Sequence, residues 1–223
     1  MFSQLDEGSF VEVFDIHKND NPSVLGEKKF IIKKYKKENL KELSEGDMST
    51  EETLNLLRRR YFFTKEFYKE LPDLVLRSRF FIGKDEDGSE TIFDVQQKIE
   101  NYKGIDSVLD QGFNPKGNEV EVFSRLFKEQ LQTLRSELII FINRTKDFLT
   151  GNSFPEGYSD FSSRAFDFNS GNVVITSEGH LSIIDTNIYK NLWEEESTFE
   201  QFEHSLADLE NVLKILELKI KNS

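Results

Sequence analysis

The sequence predicts an α+β fold in two lobes, a β-rich N-terminal lobe followed by a compact helical C-terminal lobe. Three observations carry that expectation. Strand-like patterns dominate residues 1–99, with one long helical pattern among them. Helical periodicity dominates from Glu119 onward. Between the two, residues 100–104 read as a hinge, leaving 105–223 as the second lobe.

In chain order, residues 9–16 (SFVEVFDI) alternate in part and are rich in Phe and Val, as a half-buried strand requires. The polar segment 17–27 holds Asn, Asp, Pro and Gly and reads as a long hairpin connection. Residues 29–35 (KFIIKKY) supply the next strand, and the charged stretch 36–47 an exposed loop. Ser49 or Thr50, followed by Glu51 and Glu52, opens a helix through a capping box. That helix is expected to run to about Leu71, with Leu54, Leu57, Tyr61 and Tyr68 on one face and Pro72 marking its end. Residues 74–82 (LVLRSRFFI) and 91–99 (TIFDVQQKI) read as two strands around a turn at 84–89 that contains Asp87-Gly88. Residues 119–149 carry one long helical pattern, and 151–163 a loop with Pro155 and Gly157. Residues 172–176 and 181–185 form a short hairpin around Ser177-Glu178-Gly179, and 197–221 a closing amphipathic helix.

Composition bounds the function. A hydrophobic fraction of 37% with 21 Phe among 223 residues is ample for a core, and the 31% of charged residues are scattered rather than blocked, as in a globular soluble protein. There are no cysteines, which excludes a disulfide scaffold, a thiol nucleophile and Cys-ligated zinc. His17, His180 and His204 lack metal-site spacing. A net charge of −12 disfavours a general nucleic-acid partner, although six lysines fall between Lys28 and Lys37. No apolar run approaches a membrane span, and residues 1–10 lack the pattern of a signal peptide, so the expected compartment is the cytoplasm.

The chemistry concentrates in residues 165–187, AFDFNSGNVVITSEGHLSIIDTN. Its skeleton is Asp167, then Asn172 five positions on, a two-strand hairpin, and Asp185 thirteen positions after Asn172. Phosphoryl transfer from ATP needs such a set: one carboxylate for the acceptor hydroxyl, and an amide oxygen with a second carboxylate for magnesium. The stretch resembles the catalytic loop and metal-binding segment of the protein-kinase-like superfamily, H-R-D-x-x-x-x-N followed by D-F-G. It is closer to the aminoglycoside-phosphotransferase type, H-G-D-L-H-P-G-N…I-D-W, through Asp167, Phe168, Asn169, Gly171, Asn172 and Ile184-Asp185. The resemblance implies Asp167 as catalytic base and Asn172 and Asp185 as metal ligands. Ala165 and Phe166 depart from the His-Gly or His-Arg before the base, and Thr186-Asn187 from the Phe-Gly after the second Asp. Without the resemblance, the stretch reads as a polar turn leading into a hairpin.

The first lobe adds support. Residues 5–14 (LDEGSFVEVF) are similar to the kinase Gly-rich loop, of whose glycines only Gly8 survives. Phe30-Ile31-Ile32-Lys33 is similar to V-A-I-K, which implies Lys33 as the lysine of the α- and β-phosphates. Alternation puts Ile31 on the same strand face, where it could touch adenine. A register one residue on gives Lys34 with Ile32 instead. The helix-borne glutamate that should pair with the lysine is best represented by Glu66, since arginines fill the usual position near 58–62. Residues 98–102 (KIENY) fit the segment that binds adenine through its backbone, and Asp208 looks like the late Asp that steadies the catalytic loop. Tyr158 and Asp160 precede Asp167 in a loop that could touch a substrate.

No Ala-Pro-Glu motif follows Asp185, which argues against a regulated kinase of the eukaryotic kind. The expectation is therefore a phosphotransferase that uses ATP and Mg2+ on a hydroxyl of a small molecule, a sugar or a protein. The alternative is a pseudokinase, a nucleotide-binding or regulatory module of the same fold that engages a protein partner.

Overall fold

The computed structural model describes residues 2–7, 11–16, 29–36, 40, 48–112, 121–149, 170–184 and 196–222. The protein is mixed α+β, sheet-rich toward its N-terminus and helical toward its C-terminus. The chain divides into two compact units, one formed by Met1–Phe62 with Leu76–Ile99, the other by Phe63–Val75 with Glu100–Ser223. No helix among the described residues is long and apolar enough to cross a membrane.

The first unit holds a five-stranded antiparallel sheet of β1 (Phe2–Glu7), β2 (Val11–Ile16), β3 (Phe30–Tyr35), β4 (Ser78–Lys84) and β5 (Glu90–Gln97), in the order β1-β2-β3-β5-β4. β1 was not expected from its polar sequence; it forms because β2 offers a partner edge, from Phe2↔Ile16 to Glu7↔Glu12. β4 begins at Ser78 rather than at residue 74, because Leu74 goes instead to the hydrophobic core of the second unit. The turn from β4 to β5 closes where Asp85 N–H donates to the Ser89 carbonyl (2.8 Å), and Gly88 takes φ 82°, a conformation that favours glycine.

Helix α1 (Thr50–Phe67) starts at the expected capping box. Glu52 N–H donates to Ser49 Oγ (3.3 Å), and Ser49 N–H donates back to Glu52 Oε2 (2.8 Å). The helix ends at Phe67, short of Leu71, and Tyr68 to Leu71 continue as turns, since the residue before Pro72 avoids the helical region. α1 lies on β4: the Tyr61 and Phe80 rings meet edge-on at 5.9 Å, and Arg58 donates to the Phe80 carbonyl at 2.8 Å.

The second unit sets a three-stranded antiparallel sheet, β6 (Tyr102–Gly104), β7 (Val173–Thr176) and β8 (Leu181–Ile183), among helices. The helices are α2 (Ile105–Gly112), α3 (Glu121–Ser124), α4 (Lys128–Leu149) and α5 (Glu196–Asn222). The long helical pattern over 119–149, expected to be broken weakly if at all, is broken at 125–127, where Phe127 N–H donates to Gln130 Oε1 (2.9 Å) and restarts the helix by side-chain capping. Leu131, Leu134, Leu138 and Phe141 of α4 and Leu209, Val212 and Leu216 of α5 recur at helical spacing and are buried in one core. Tyr68 Oη and Thr145 Oγ1 lie 2.9 Å apart inside it, and burial pushes the Tyr68 hydroxyl pKa up. Gly179 turns β7 into β8 at φ 81°, with Gln130 and Leu126 atoms 3.1 to 3.3 Å from where a Cβ would stand.

The Ser49 hydroxyl, and then its N–H, hold the Glu52 carboxyl below its ordinary pKa of 4.5. The stabilisation is therefore present above pH 4.5 and lost as the pH falls through the lowered value. Ser49→Ala should destabilise the fold by about 1 kcal/mol at neutral pH and lessen its loss of stability on acidification. Melting curves at neutral and acidic pH check both effects; an unchanged pH dependence would count against the box.

Candidate functional site

In the first unit the strand ladder decides between the two adjacent lysines. Lys33 is Cα partner to Val13 on one side and Asp94 on the other, and it is buried, at 6% exposure. Lys34 points to the opposite face, where its ammonium meets Glu12 at 2.7 Å and Asp85 at 3.1 Å. The Glu12 hydrogen bond is the largest cause of a raised Lys34 pKa; the Glu86 N–H, followed by Lys34, lowers that of Asp85. Ile31, two residues before Lys33 and on its face, is half-buried opposite Asp15 and Gln96. Gly8 lies outside the described residues, between the paired strands β1 and β2.

Asp94 is the feature of this unit that sequence reasoning missed. It is 2% exposed, and Ser78 Oγ donates to its Oδ2 at 3.2 Å. The signal was an acid inside TIFDVQQ: alternation places Asp94 with Ile92 and Gln96, both of which are buried.

In the second unit Asn172 closes a 3-10 turn, Ser170–Asn172, that leads directly into β7. Ile184 N–H donates to the Asn172 carbonyl at 3.0 Å, one step beyond the paired Val173↔Ile183. The hairpin therefore brings Ile184, the neighbour of Asp185 in sequence, back to Asn172. Segment 73–75 holds β8 from the side: Ile183 N–H donates to the Leu74 carbonyl (2.7 Å) and Ser182 Oγ to that of Asp73 (3.2 Å). Asp167 and Asp185 themselves lie outside the described residues, as do Tyr158 and Asp160.

Ser170, three residues after Asp167 in sequence, is 5% exposed. Its Oγ stands 3.1 Å from Asp106 Oδ1 of α2 and 3.1 Å from Asp208 Oδ2 of α5. A hydroxyl has a single proton to donate, so the two carboxylates share it. Asp208 thus bonds Ser170, and Asp106 joins it; Asp106 had no sequence signal beyond a first-turn acid of a helix. Glu66 is exposed and accepts a hydrogen bond from Lys69 Nζ at 3.1 Å. His180 Nδ1 lies 2.6 Å from Glu137 Oε1, and His204 is exposed.

No family model and no curated protein matches the chain. Among solved structures it is similar to the apo form of PpkA-294, at 13% identity, covering 96% of this chain and 62% of that one with a TM-score of 0.35. It is similar also to the MAP kinase LmaMPK10 from Leishmania major, at 12% identity, covering 97% and 59% with a TM-score of 0.40. The chain spans about three fifths of the length of these solved chains. At such TM-scores neither likeness carries weight.

Ser170→Ala removes the shared donor and leaves two carboxylates facing each other. It should destabilise the second unit by about 1–3 kcal/mol. Hydrogen exchange at the amides of Val173 and Ile184 should speed up, while the amides of β4 and β5 stay as they were; unchanged exchange at the hairpin would refute the anchoring.

Proposed function

We propose that the chain is an ATP- and Mg2+-dependent phosphotransferase of the kinase-like fold, acting on a hydroxyl. The observation that carries this reading is the Ile184–Asn172 backbone hydrogen bond, which joins the two ends of the hairpin from which the Asn172 amide and the Asp185 carboxylate project in the family motif. A side-chain amide and a carboxylate are hard oxygen donors, and Mg2+ is commonly held by one or two such groups together with phosphate oxygens. The donor set therefore fits the ion, which supplies charge neutralisation at the β- and γ-phosphates. Lys33, on β3, holds the α- and β-phosphates, with Ile31 beside it against the base, and Gly8 lets backbone amides approach the phosphates. Asp167 accepts the proton of the acceptor hydroxyl as its oxygen bonds to the γ-phosphorus. The bond to the β–γ bridging oxygen breaks, and ADP leaves. The acceptor is a small molecule, a sugar or a protein, and the motif is nearest the aminoglycoside-phosphotransferase type.

A pseudokinase that binds nucleotide without turnover is the second reading. It is favoured by the exposed position of Glu66 in an ion pair with Lys69, and by arginines at 58–60 in α1.

Saturating ATP with magnesium should raise the melting temperature by several degrees, since a ligand at a hundred times its Kd adds about 2.7 kcal/mol. Asp185→Ala should abolish that shift. Asp167→Asn should keep the shift and lower ATP turnover by about 10²–10⁴-fold. No shift for the wild type would refute the nucleotide site; a shift with no turnover would establish the second reading.

A further inference from the structure

The register sets Lys33 directly opposite Asp94 on β5. Residues paired across antiparallel strands share a face, with Cβ atoms about 4.5–5.5 Å apart. Both are buried, at 6% and 2% exposure, and a charge at that depth persists when an opposite charge compensates it. Asp94 is also held in place. Phe80, its partner on β4, packs against Tyr61 of α1, so this row faces the helix. Ser78 donates its N–H to Tyr61 Oη (3.3 Å) and its hydroxyl to Asp94 Oδ2 (3.2 Å), a chain from helix to carboxylate.

Among the acids whose side chains are described, those nearest are engaged or exposed elsewhere. Within the first unit, α1 offers Glu51, exposed, and Glu52, engaged in the capping box; its other charged residues, Arg58, Arg59 and Arg60, are basic. Asp15 shares the Lys33 face and is bonded to Lys98 at 2.6 Å.

We propose that Asp94 is the positioning residue for Lys33, a carboxylate fixed in the sheet that holds the lysine for the α- and β-phosphates where a helix-borne glutamate would otherwise do so. The proposal rests on the ATP reading above. Its consequence is that the lysine's partner is carried by the neighbouring strand and not by α1, because β3 and β5 are locked by the ladder from Phe30↔Gln97 to Lys34↔Phe93.

Two measurements on the full chain test it. The first is thermal melting without nucleotide of wild type, Lys33→Met, Asp94→Asn and the double variant. Each single change strands a buried polar or charged group, so the double variant should melt above both singles; a double variant no more stable than Asp94→Asn overturns the pairing. The second is ATP–Mg2+ binding by calorimetry. Asp94→Asn should weaken binding on the order of tenfold, Asp94→Glu should recover part of it, Lys33→Met should show no further loss when Asp94→Asn is added, and Glu66→Gln should bind as wild type. Wild-type affinity in Asp94→Asn, or a loss in Glu66→Gln, overturns the positioning role. A wild type that binds no ATP overturns the ATP reading and the role with it, and the melting cycle still tells that failure from a failure of the pair.

Discussion

Side chains alternate between the two faces of a strand, and in the first unit that single constraint sorts the charges. Lys33 and Lys34 are neighbours of the same type. The pairing of β3 with β2 and β5 turns one inward, opposite Asp94, and the other outward, between Glu12 and Asp85. A slip of β3 by one residue would exchange them and bring Ile32 to the helix side in place of Ile31. The packing of Tyr61 on Phe80 and the Ser78 bridge to Asp94 fix the face that β4 and β5 turn to the helix, and the pairing of β3 with β5 sets Lys33 on that same face.

A comparable economy shapes the second unit. One hairpin, turned by Gly179, is held on one side by the carbonyls of Asp73 and Leu74 and at its open end by the Asn172 carbonyl. Just ahead of it Ser170 binds acids from two helices distant in sequence, Asp106 and Asp208. The 170–184 stretch is thereby tied to both α2 and α5, whose apolar faces share the core with α4. A polar residue that serves as a hub of this kind is fixed by buried hydrogen bonds, and its truncation acts on several elements together.

Much of this was legible in the sequence because the governing interactions are local. The capping box at Ser49 and Glu52, the turn at Gly88 and the hairpin around Gly179 each rest on residues within a few positions of one another. What escaped depends on partners far along the chain. β1 exists through β2; the break at 125–127 is made by a Gln130 side chain where no Gly or Pro marks it; Leu74 leaves the β4 run for a core assembled from distant helices. Ser170 and Asp106 have meaning only once α2 and α5 converge on the turn. Asp94 lay unremarked inside the strand pattern 91–99, and its register with Lys33 shows what it faces.

Stability alone would not account for the proposed pairing of an ammonium and a carboxylate at that depth. Desolvating an ammonium and a carboxylate costs several kcal/mol each, and their attraction recovers this only with good geometry. An apolar pair of similar volume is often as stable or more so, and the neighbours Val13, Ile92 and Phe80 show that the site accepts apolar side chains. Lys34, on the exposed side, needs no such explanation, since it sits at the rim between two acids that water also reaches. A lysine turned inward and matched by an acid on the next strand is a costly arrangement for a sheet to keep. The cost is intelligible on the proposed reading, in which the ammonium has a second, anionic partner to meet.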